Sequence, residues 1–456
     1  MAKVLLVQTR YERKIEDQIE KPGIPANLLW LASAIEHKHP VKIYDRNIKI
    51  TDKEFIEFVK SYNPNIIGFT TMTSPLLYDL IHLGNLIKKE FPQIMIVAGG
   101  VHATIEPDSL LSEPYIDYIL RGECEEAFLE FCNVFDKNPK KLGKIKNVNH
   151  NPLRPFLKME DIKLPNYNLI NPRDYGQFFI STSRGCPGKC SFCFNIDMWG
   201  DHGNSCVRIY SLEKVKQLLI EVIEKQKVRE FTIADENFVT FKKRCIEICR
   251  FLKEKYNGKI NFNIFARADF FDDKVAAALK EAGCHSVQFG TESGNQRVLN
   301  FLNKNITVEK QAEAYKICRR HGLFSNPSFM IGIPTETTEE MNDTIRFIKI
   351  YKPDVVGLGI FNPLPGSAIF NELVKAKKIK KPKTLLEWAD WSTSNFLVLK
   401  HNLSEIPDDI LWEAANEMWR YRYPVRILKK MIYWISRGQI KPILDRVNMV
   451  VRRLIK

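Results

Sequence analysis

Three cysteines on one short loop limit what this chain can fold into more than any other feature of its sequence. Cys186, Cys190 and Cys193 follow one another with the spacing C-x3-C-x2-C. The apolar run at 178–180 predicts a strand before them, and the glycines and proline among them predict a loop. Three thiolates held close together are typical ligands of a soft metal centre. If that centre is a four-iron cluster, three cysteines leave one iron open to another ligand.

The alternatives to an iron–sulfur cluster fit this loop less well. A structural zinc site needs a fourth cysteine or histidine, and C-x3-C spacing is unusual for one. A disulfide would leave one of the three thiols over and would require an oxidising compartment. Unrelated core cysteines are not expected to share a loop rich in glycine and proline. The loop therefore predicts three metal ligands.

Length and composition predict a globular protein of two or three domains. The chain has 456 residues, of which 45% are hydrophobic and 27% charged, and a formal net charge of +14. No apolar run reaches the roughly 18 residues of a membrane span. Residues 3–7 have the pattern of a strand and not that of a signal peptide. We therefore expect a cytoplasmic protein whose thiols stay reduced.

The first part of the chain, residues 1–135, predicts a doubly wound parallel sheet. Apolar strands alternate there with helical patterns. The strands are predicted at 3–7, 41–45, 66–71, 94–98 and 118–120. Such sheets bind ligands beyond the carboxyl ends of their strands, and here those ends carry small, permissive residues. No G-x-G-x-x-G follows any strand, which argues against a dinucleotide-binding domain, and the acidic cluster of a response regulator is missing.

A linker and a second α/β domain follow. Residues 136–176 contain five prolines and little periodicity, which predicts an extended connector. Residues 177–370 repeat a strand–helix pattern six times, which predicts a partial (β/α)6 barrel of the TIM type with its chemistry at the carboxyl ends of the strands. Those ends are polar or glycine-rich, at 235–238, 267–269, 290–294, 332–336 and 362–366.

The last region, residues 371–456, is predicted to be helical and is strongly basic. Residues 421–456 contain ten Lys and Arg against one Asp. The run 425–435 is amphipathic, which fits peripheral contact with an anionic inner membrane surface. It also fits a clamp on an acidic or amphiphilic substrate, or a plain surface helix packed on the barrel. Nucleic acid is the least favoured partner.

The cysteine spacing, the aromatic Phe192 directly before the last cysteine, and the polar strand ends resemble the radical S-adenosylmethionine (SAM) enzymes. In that family the three cysteines hold a 4Fe–4S cluster, and SAM chelates the open iron. One electron from the cluster then cleaves SAM to methionine and a 5′-deoxyadenosyl radical. The resemblance implies an external electron donor of the flavodoxin or ferredoxin type.

The same resemblance implies where SAM binds along the barrel edge. The second strand end would bind the methionyl amino group, and the guanidinium of the third would bind the carboxylate. The fourth strand end would bind the ribose hydroxyls, and the fifth would pack on the adenine together with the residue before the last cysteine. The implied SAM contacts are Phe192, Asp235, Asn237, Arg267, Glu292, Ser293 and Ile333.

Residues 1–135 resemble the cobalamin-binding domain found ahead of many radical SAM cores. They lack the D-x-H-x-x-G motif, and the loop after the first strand contains no histidine, so no imidazole from that loop would ligate the cobalt. His102 is expected to contact the cofactor or backbone without ligating. The implied cobalamin contacts are Thr71, Thr73, Ser74, Gly99, Gly100, His102, Gly122 and Glu123.

Together these resemblances predict a cobalamin-dependent radical SAM enzyme similar to the class B methyltransferases. It would methylate an unactivated carbon of a small-molecule or lipid substrate, and the basic, aromatic tail favours a lipid or isoprenoid. Two alternatives stay open. One is a ring-forming or rearranging enzyme similar to the anaerobic cyclase of chlorophyll biosynthesis. The other is a non-catalytic iron–sulfur sensor.

Overall fold

The computed structural model of the chain describes residues 1–10, 21–194, 198, 207–391 and 402–420. The predicted basic helix at 425–435, with the rest of 421–456, lies outside these residues. None of the described helices combines the length and the apolar character needed to cross a membrane.

The first domain is the predicted doubly wound sheet. Its strands are β1 Val4–Gln8, β2 Val41–Asp45, β3 Ile66–Thr71, β4 Met95–Gly100 and β5 Tyr118–Leu120. Its helices are α1 Ala26–Ile35, α2 Asp52–Tyr62, α3 Leu76–Glu90, α4 Val101–Ile105, α5 Pro107–Leu111 and α6 Glu125–Lys137. All neighbouring strands are parallel, in the order β2-β1-β3-β4-β5. The order reverses between β1 and β3, which opens a crevice at the carboxyl edge.

Helix α2 connects β2 to β3. It begins with a capping box, in which Thr51 accepts a hydrogen bond from the N–H of Glu54 and the Glu54 side chain accepts one from the N–H of Thr51. It ends at Asn63, whose φ of 48° is left-handed. Its buried residues are Phe55, Val59 and Tyr62, which are three or four positions apart and therefore lie on one face of the helix.

The linker lies against the first domain. It forms three short 3₁₀ turns, Pro139–Lys144, Tyr167–Leu169 and Pro172–Asp174. Asn166 joins it to α1, because its N–H donates to Ser33 Oγ at 2.7 Å and its side-chain amide donates to Glu36 Oε2 at 2.8 Å. The connector is therefore extended but held in place.

The second domain is an open six-stranded parallel barrel. Its elements are β6 Phe179–Ile180, β7 Ser183–Arg184, β8 Arg208–Ile209, α7 Leu212–Ile220, β9 Glu230–Ile233, α8 Lys242–Tyr256, β10 Asn261–Ala266, α9 Asp273–Glu281, β11 Cys284–Glu292, α10 Gln296–Phe301, α11 Val308–Arg320, β12 Phe324–Ile331, α12 Thr338–Tyr351 and β13 Gly357–Ile360. The strand order is β13-β12-β11-β10-β9-β6, while β7 and β8 form a separate antiparallel pair. The predicted fold class is confirmed.

Two elements of the barrel are irregular. Strand β12 begins at Phe324 and continues through Pro327. Strand β13 pairs with β12 only from Ser328 onward, so the missing N–H of Pro327 is not needed on that side. Helix α7 ends at Ile220 and continues as a π-helical turn over 221–225. The predicted domain limits stay predictions, but α6 runs past residue 135.

The carboxyl edges of the two sheets meet in one apolar cluster. Leu77 and Ala103, which follow β3 and β4, belong to the same cluster as Ile333 and Phe361, which follow β12 and β13. Phe192 of the cysteine loop packs against it. The contact between the domains is therefore part of the hydrophobic core.

Helices after the barrel close this junction. They are α13 Ala368–Lys375, α14 Leu385–Trp391 and α15 Asp408–Arg420. Helix α14 packs on α3 of the first domain, where the Tyr78 hydroxyl donates to the Asp390 carboxylate. The Trp391 indole N–H donates to the Pro363 carbonyl of the barrel at 2.8 Å. One short helix thus bonds to both domains.

The packing of α3 gives a test of the first domain. Gly84→Ala should lower the free energy of unfolding by about 1–3 kcal/mol, because the new methyl group would overlap the buried ring of Tyr115. Chemical denaturation measures this. The matched control is Gly143→Ala, where the methyl group meets nothing closer than 3.9 Å. Within a helix, alanine is ordinarily more favourable than glycine. A Gly84→Ala variant that is more stable than the wild type would show that the methyl group meets no overlap and would contradict this packing.

Candidate active site

A buried carboxylate fixes the turn from which the cysteine loop leaves the barrel. Asp235, just beyond β9, accepts hydrogen bonds from the N–H and hydroxyl groups of both Thr182 and Ser183, at 2.5–3.1 Å. Arg244 of α8 donates to the Thr182 carbonyl at 2.7 Å. Asp235 has no exposed surface, and burial raises the pKa of its carboxyl group. Its position shows that it anchors the base of the loop.

The three predicted cluster ligands lie on that loop. Cys190 is buried, and Cys186 and Cys193 are half-buried. The N–H of Cys193 donates to the Cys190 carbonyl at 3.1 Å, and the N–H of Gly188 donates to Cys186 Sγ at 3.4 Å. None of the three belongs to a disulfide among the described residues. The three thiols thus lie on one short loop, as the ligands of one cluster would.

The donor set fits an iron–sulfur cluster better than a single ion. Within the described ranges, no three His, Cys, Asp or Glu side chains converge on a position for one metal ion. A four-iron cluster bonds each cysteine through a different iron, so its ligands do not meet at one point. A backbone amide and a guanidinium also face the sulfur atoms, as an anionic cluster requires.

The fourth barrel strand ends in a buried ion pair. Glu292 closes β11 with a left-handed φ of 66°, and its Oε1 accepts a hydrogen bond from Lys304 Nζ at 2.9 Å. Lys304 Nζ also lies 5.8 Å from the centroid of the Phe192 ring. Gly290 makes room for the pair, since a Cβ there would stand 2.6 Å from Glu292 Oε1. Lys304 thus joins Glu292 to the cysteine loop.

Threonine hydroxyls tie together the loops at the carboxyl edge of the first sheet. Thr71 Oγ1 donates to the Gly99 carbonyl at 2.8 Å, and Thr104 Oγ1 donates to the Gly100 carbonyl at 2.9 Å while accepting from the N–H of Gly122. Gly100 has a φ of 100°, and a Cβ there would stand 2.7 Å from the Thr71 carbonyl oxygen. The glycines stay half-buried and leave their backbone open to a large, flat ligand.

His102 lies entirely inside the protein behind this edge. Thr73 Oγ1 is 2.7 Å from its Nδ1, and Ser109 Oγ is 2.9 Å from its Nε2. Its ring meets Trp388 of α14 edge-on at 5.7 Å. Burial lowers the pKa of His102 to about 3, so the ring is neutral at ordinary pH. Because neither ring nitrogen is left over, His102 supports the loops and is not placed to ligate cobalt.

A half-buried ion network joins the two domains beside the cysteine loop. Glu123, which follows β5, accepts hydrogen bonds from Arg184 Nη1 at 2.8 Å and from Arg208 at 2.6 and 3.0 Å. The N–H of Leu157 in the linker donates to the same carboxylate at 2.9 Å. Burial raises the pKa of Glu123, but its hydrogen bonds and the arginine charges hold it below its ordinary value. Arg184 lies two residues before Cys186, so this network positions the loop.

Comparison with known proteins agrees with this geometry. The family model "Radical SAM superfamily" matches residues 180–348, and "B12 binding domain" matches residues 14–131. A Pyrococcus horikoshii protein named "Uncharacterized methyltransferase PH0819" is 32% identical over 90% of this chain and 91% of its own length. The chain belongs to the cobalamin-binding radical SAM enzymes.

Other similar proteins are named for one or the other of two activities, ring formation and methyl transfer. The anaerobic magnesium-protoporphyrin IX monomethyl ester cyclase of Rubrivivax gelatinosus is 26% identical over 71% of this chain and 61% of its own. Among solved structures, the methyltransferase TsrM from Kitasatospora setae, with cobalamin and a 4Fe–4S cluster bound, has a TM-score of 0.72 at 17% identity, covering 93% of this chain and 90% of its own. That likeness shows a shared fold.

The cofactors of this radical SAM enzyme are a 4Fe–4S cluster, SAM and cobalamin, as predicted. Several residues predicted to contact SAM are, however, buried inside the protein. Asp235, Asn237, Ser293 and Ile333 are at most 2% exposed. Asn237 Oδ1 accepts from the N–H of Arg267 at 2.9 Å, and Ser293 Oγ is 3.1 Å from Thr344 Oγ1.

Direct contact with a cofactor stays a prediction for those four residues and for His102, all of which the structure buries. The sequence does not distinguish strand-end residues that face inward from those that face outward, so the burial of these residues could not be predicted. Direct SAM contact stays a prediction for Phe192, Arg267 and Glu292. Lys304 was missed, because nothing in the spacing of a single lysine after a short helix marks it as buried.

The neutral state of His102 predicts acid sensitivity. Its pKa is about 3 in the folded chain against an ordinary 6.5, so protons bind the unfolded state preferentially between these values. The free energy of unfolding should therefore fall, by roughly 1.4 kcal/mol per pH unit, as the pH drops below 6.5. Denaturation at pH 7 and pH 5 measures this. His102→Gln should remove that part of the slope, and a slope equal to that of the wild-type protein would contradict the assignment.

The interdomain network predicts a large effect for one carboxylate. Glu123→Gln should lower the free energy of unfolding by about 1–3 kcal/mol, because the half-buried Arg184 and Arg208 lose a shared counter-charge, although Arg184 keeps Glu125. Glu126→Gln is the matched control. Its side chain is 56% exposed and 3.5 Å from Arg154, so it should cost less than about 1 kcal/mol. Similar losses in the two variants would show that the network does not hold the domains.

Proposed function

We propose that this enzyme methylates an unactivated carbon of an amphiphilic substrate, held between the two domains. The observation that carries the proposal is the single apolar cluster in which the carboxyl edges of both sheets meet. A parallel sheet binds its ligand at that edge, so cofactors on the two domains would face each other across this apolar junction. Apolar side chains around the cofactors would keep water out, which protects reactive intermediates.

Different loops would bind the different cofactors. Cys186, Cys190 and Cys193 would hold the cluster, and the loops around Gly100 and Gly122 would hold cobalamin. When bound, the cluster and SAM supply a radical that removes a hydrogen atom, and cobalamin supplies the methyl group. The chain itself binds, orients and excludes water. The buried Glu292–Lys304 pair presents one carboxylate and one ammonium group beside the cysteine loop, and both suit a polar ligand such as SAM.

Named relatives support methyl transfer. Besides the Pyrococcus protein, the bacteriochlorophyllide d C-8(2)-methyltransferase of Chlorobaculum tepidum is 24% identical over 84% of this chain. A lipid or isoprenoid substrate is supported by the basic, aromatic composition of residues 421–456, which also suits peripheral contact with a membrane. An external flavodoxin- or ferredoxin-type protein would deliver the electron.

Ring formation is the second candidate. It is favoured by the similarity to the anaerobic magnesium-protoporphyrin cyclases, one of which is 26% identical over 71% of this chain. The two reactions differ in what they add to the substrate. Methyl transfer adds a carbon from SAM, whereas ring closure adds none.

Isotope labelling decides between the two reactions. The full chain, reconstituted anaerobically with iron, sulfide and cobalamin, is incubated with a chemical reductant, methyl-deuterated SAM and a total lipid extract, and the products are analysed by mass spectrometry. We expect 5′-deoxyadenosine and a lipid carrying the deuterated methyl group. The Cys190→Ala variant should form neither. Formation of 5′-deoxyadenosine with an unlabelled, altered lipid would favour ring formation, and no 5′-deoxyadenosine would reject both.

A further inference from the structure

Arg267 lies directly against the cysteine loop. Its Nη1 is 3.7 Å from Cys190 Sγ. A Cβ at Gly188 would stand 2.7 Å from the same Nη1 and 3.6 Å from Cys186 Sγ. The guanidinium therefore fills the space that glycine leaves open, next to two of the three sulfur atoms.

The rest of the guanidinium is bonded elsewhere. Nε and Nη2 form a fork with the Asp269 carboxylate at 3.1 and 3.0 Å, and Nη2 also donates to the Lys304 carbonyl at 2.8 Å. The backbone N–H of Arg267 donates to Asn237 Oδ1 at 2.9 Å. Only 10% of the side chain is exposed. Its orientation is thus fixed, with Nη1 towards the sulfurs and the opposite edge towards Asp269.

This arrangement has a defined electrostatic sign. Arginine keeps its charge at any accessible pH. Asp269 pairs with the edge of the guanidinium that faces away from Nη1, so the positive end of the ion pair points at the sulfurs. The Lys304 ammonium also lies near Cys190, and the Glu236 carboxylate lies near Cys186. Among the described residues, Arg267 donates a hydrogen bond to a loop sulfur from outside the loop.

We infer that Arg267 sets the reduction potential of the iron–sulfur cluster held by this loop, and that Asp269 moderates its effect. The inference rests on the proposed function only in taking the three cysteines as cluster ligands. A reduced cluster carries one more negative charge than an oxidised one, so a nearby cation in a poorly solvated site favours the reduced form. Arg267 makes the cluster easier to reduce, and it acts on the cluster as a positioning and electrostatic residue.

The test is the midpoint potential of the reconstituted full-length protein, followed by the cluster spectrum in an anaerobic titration with redox mediators. Arg267→Gln should shift the potential to more negative values, and Arg267→Lys should restore most of the wild-type value. Asp269→Asn should shift it the opposite way, to more positive values, because the guanidinium loses its counter-charge. Iron and sulfide content per chain confirms that the variants hold equal amounts of cluster.

The two opposite shifts keep the inference falsifiable. If Arg267→Gln fails to assemble a cluster, the direction of the Asp269→Asn shift decides alone. An unchanged potential in Asp269→Asn, or shifts of the same sign in both variants, would overturn the inference while leaving methyl transfer intact. A wild-type protein that takes up no iron and sulfide would overturn the cluster assignment itself, and this inference with it.

Discussion

The ion network of Glu123, Arg184 and Arg208 is the constraint on which the rest of the molecule depends. The two α/β domains share part of their hydrophobic core, and the chemistry needs both carboxyl edges at one place. Glu123 leaves the last strand of the first sheet, and Arg184 and Arg208 form the pair of short strands that flanks the cysteine loop. A buried ion pair costs desolvation and is a weak source of net stability, but it penalises any arrangement that separates the charges. It therefore fixes geometry more than it adds stability.

Most of the fold could be predicted from the sequence because it depends on local pattern. The strands around Val4 and Ile66 are apolar runs, the amphipathic helices repeat with a helical period, and the cysteines stand within one loop. The cofactor class followed from the same local signals. What could not be predicted depends on contacts between distant segments. Asp235 bonds residues more than 50 positions away, and Lys304 lies 12 positions from Glu292 with a strand end and a helix between them.

Paired charges dominate the base of the candidate site. Glu292 pairs with Lys304, Arg267 pairs with Asp269, and the Lys304 carbonyl accepts from Arg267, so the four residues form one chain of contacts beneath the cysteine loop. The formal charges of the four cancel, which limits the cost of burying them. Their orientation does not cancel, because cationic groups are the ones turned towards sulfur and aromatic carbon. A site can thus be neutral in sum and still present a directed field.

The short helix α14 has a consequence for how the protein is made. It lies late in the chain, yet it bonds to Tyr78 of the first domain and to Pro363 of the barrel. During synthesis both domains emerge before it, and neither has its full set of contacts until residue 391 has left the ribosome. The junction between the two domains therefore forms late, after the cofactor-binding edges of both have been synthesised, so a large cofactor has time to bind either edge first.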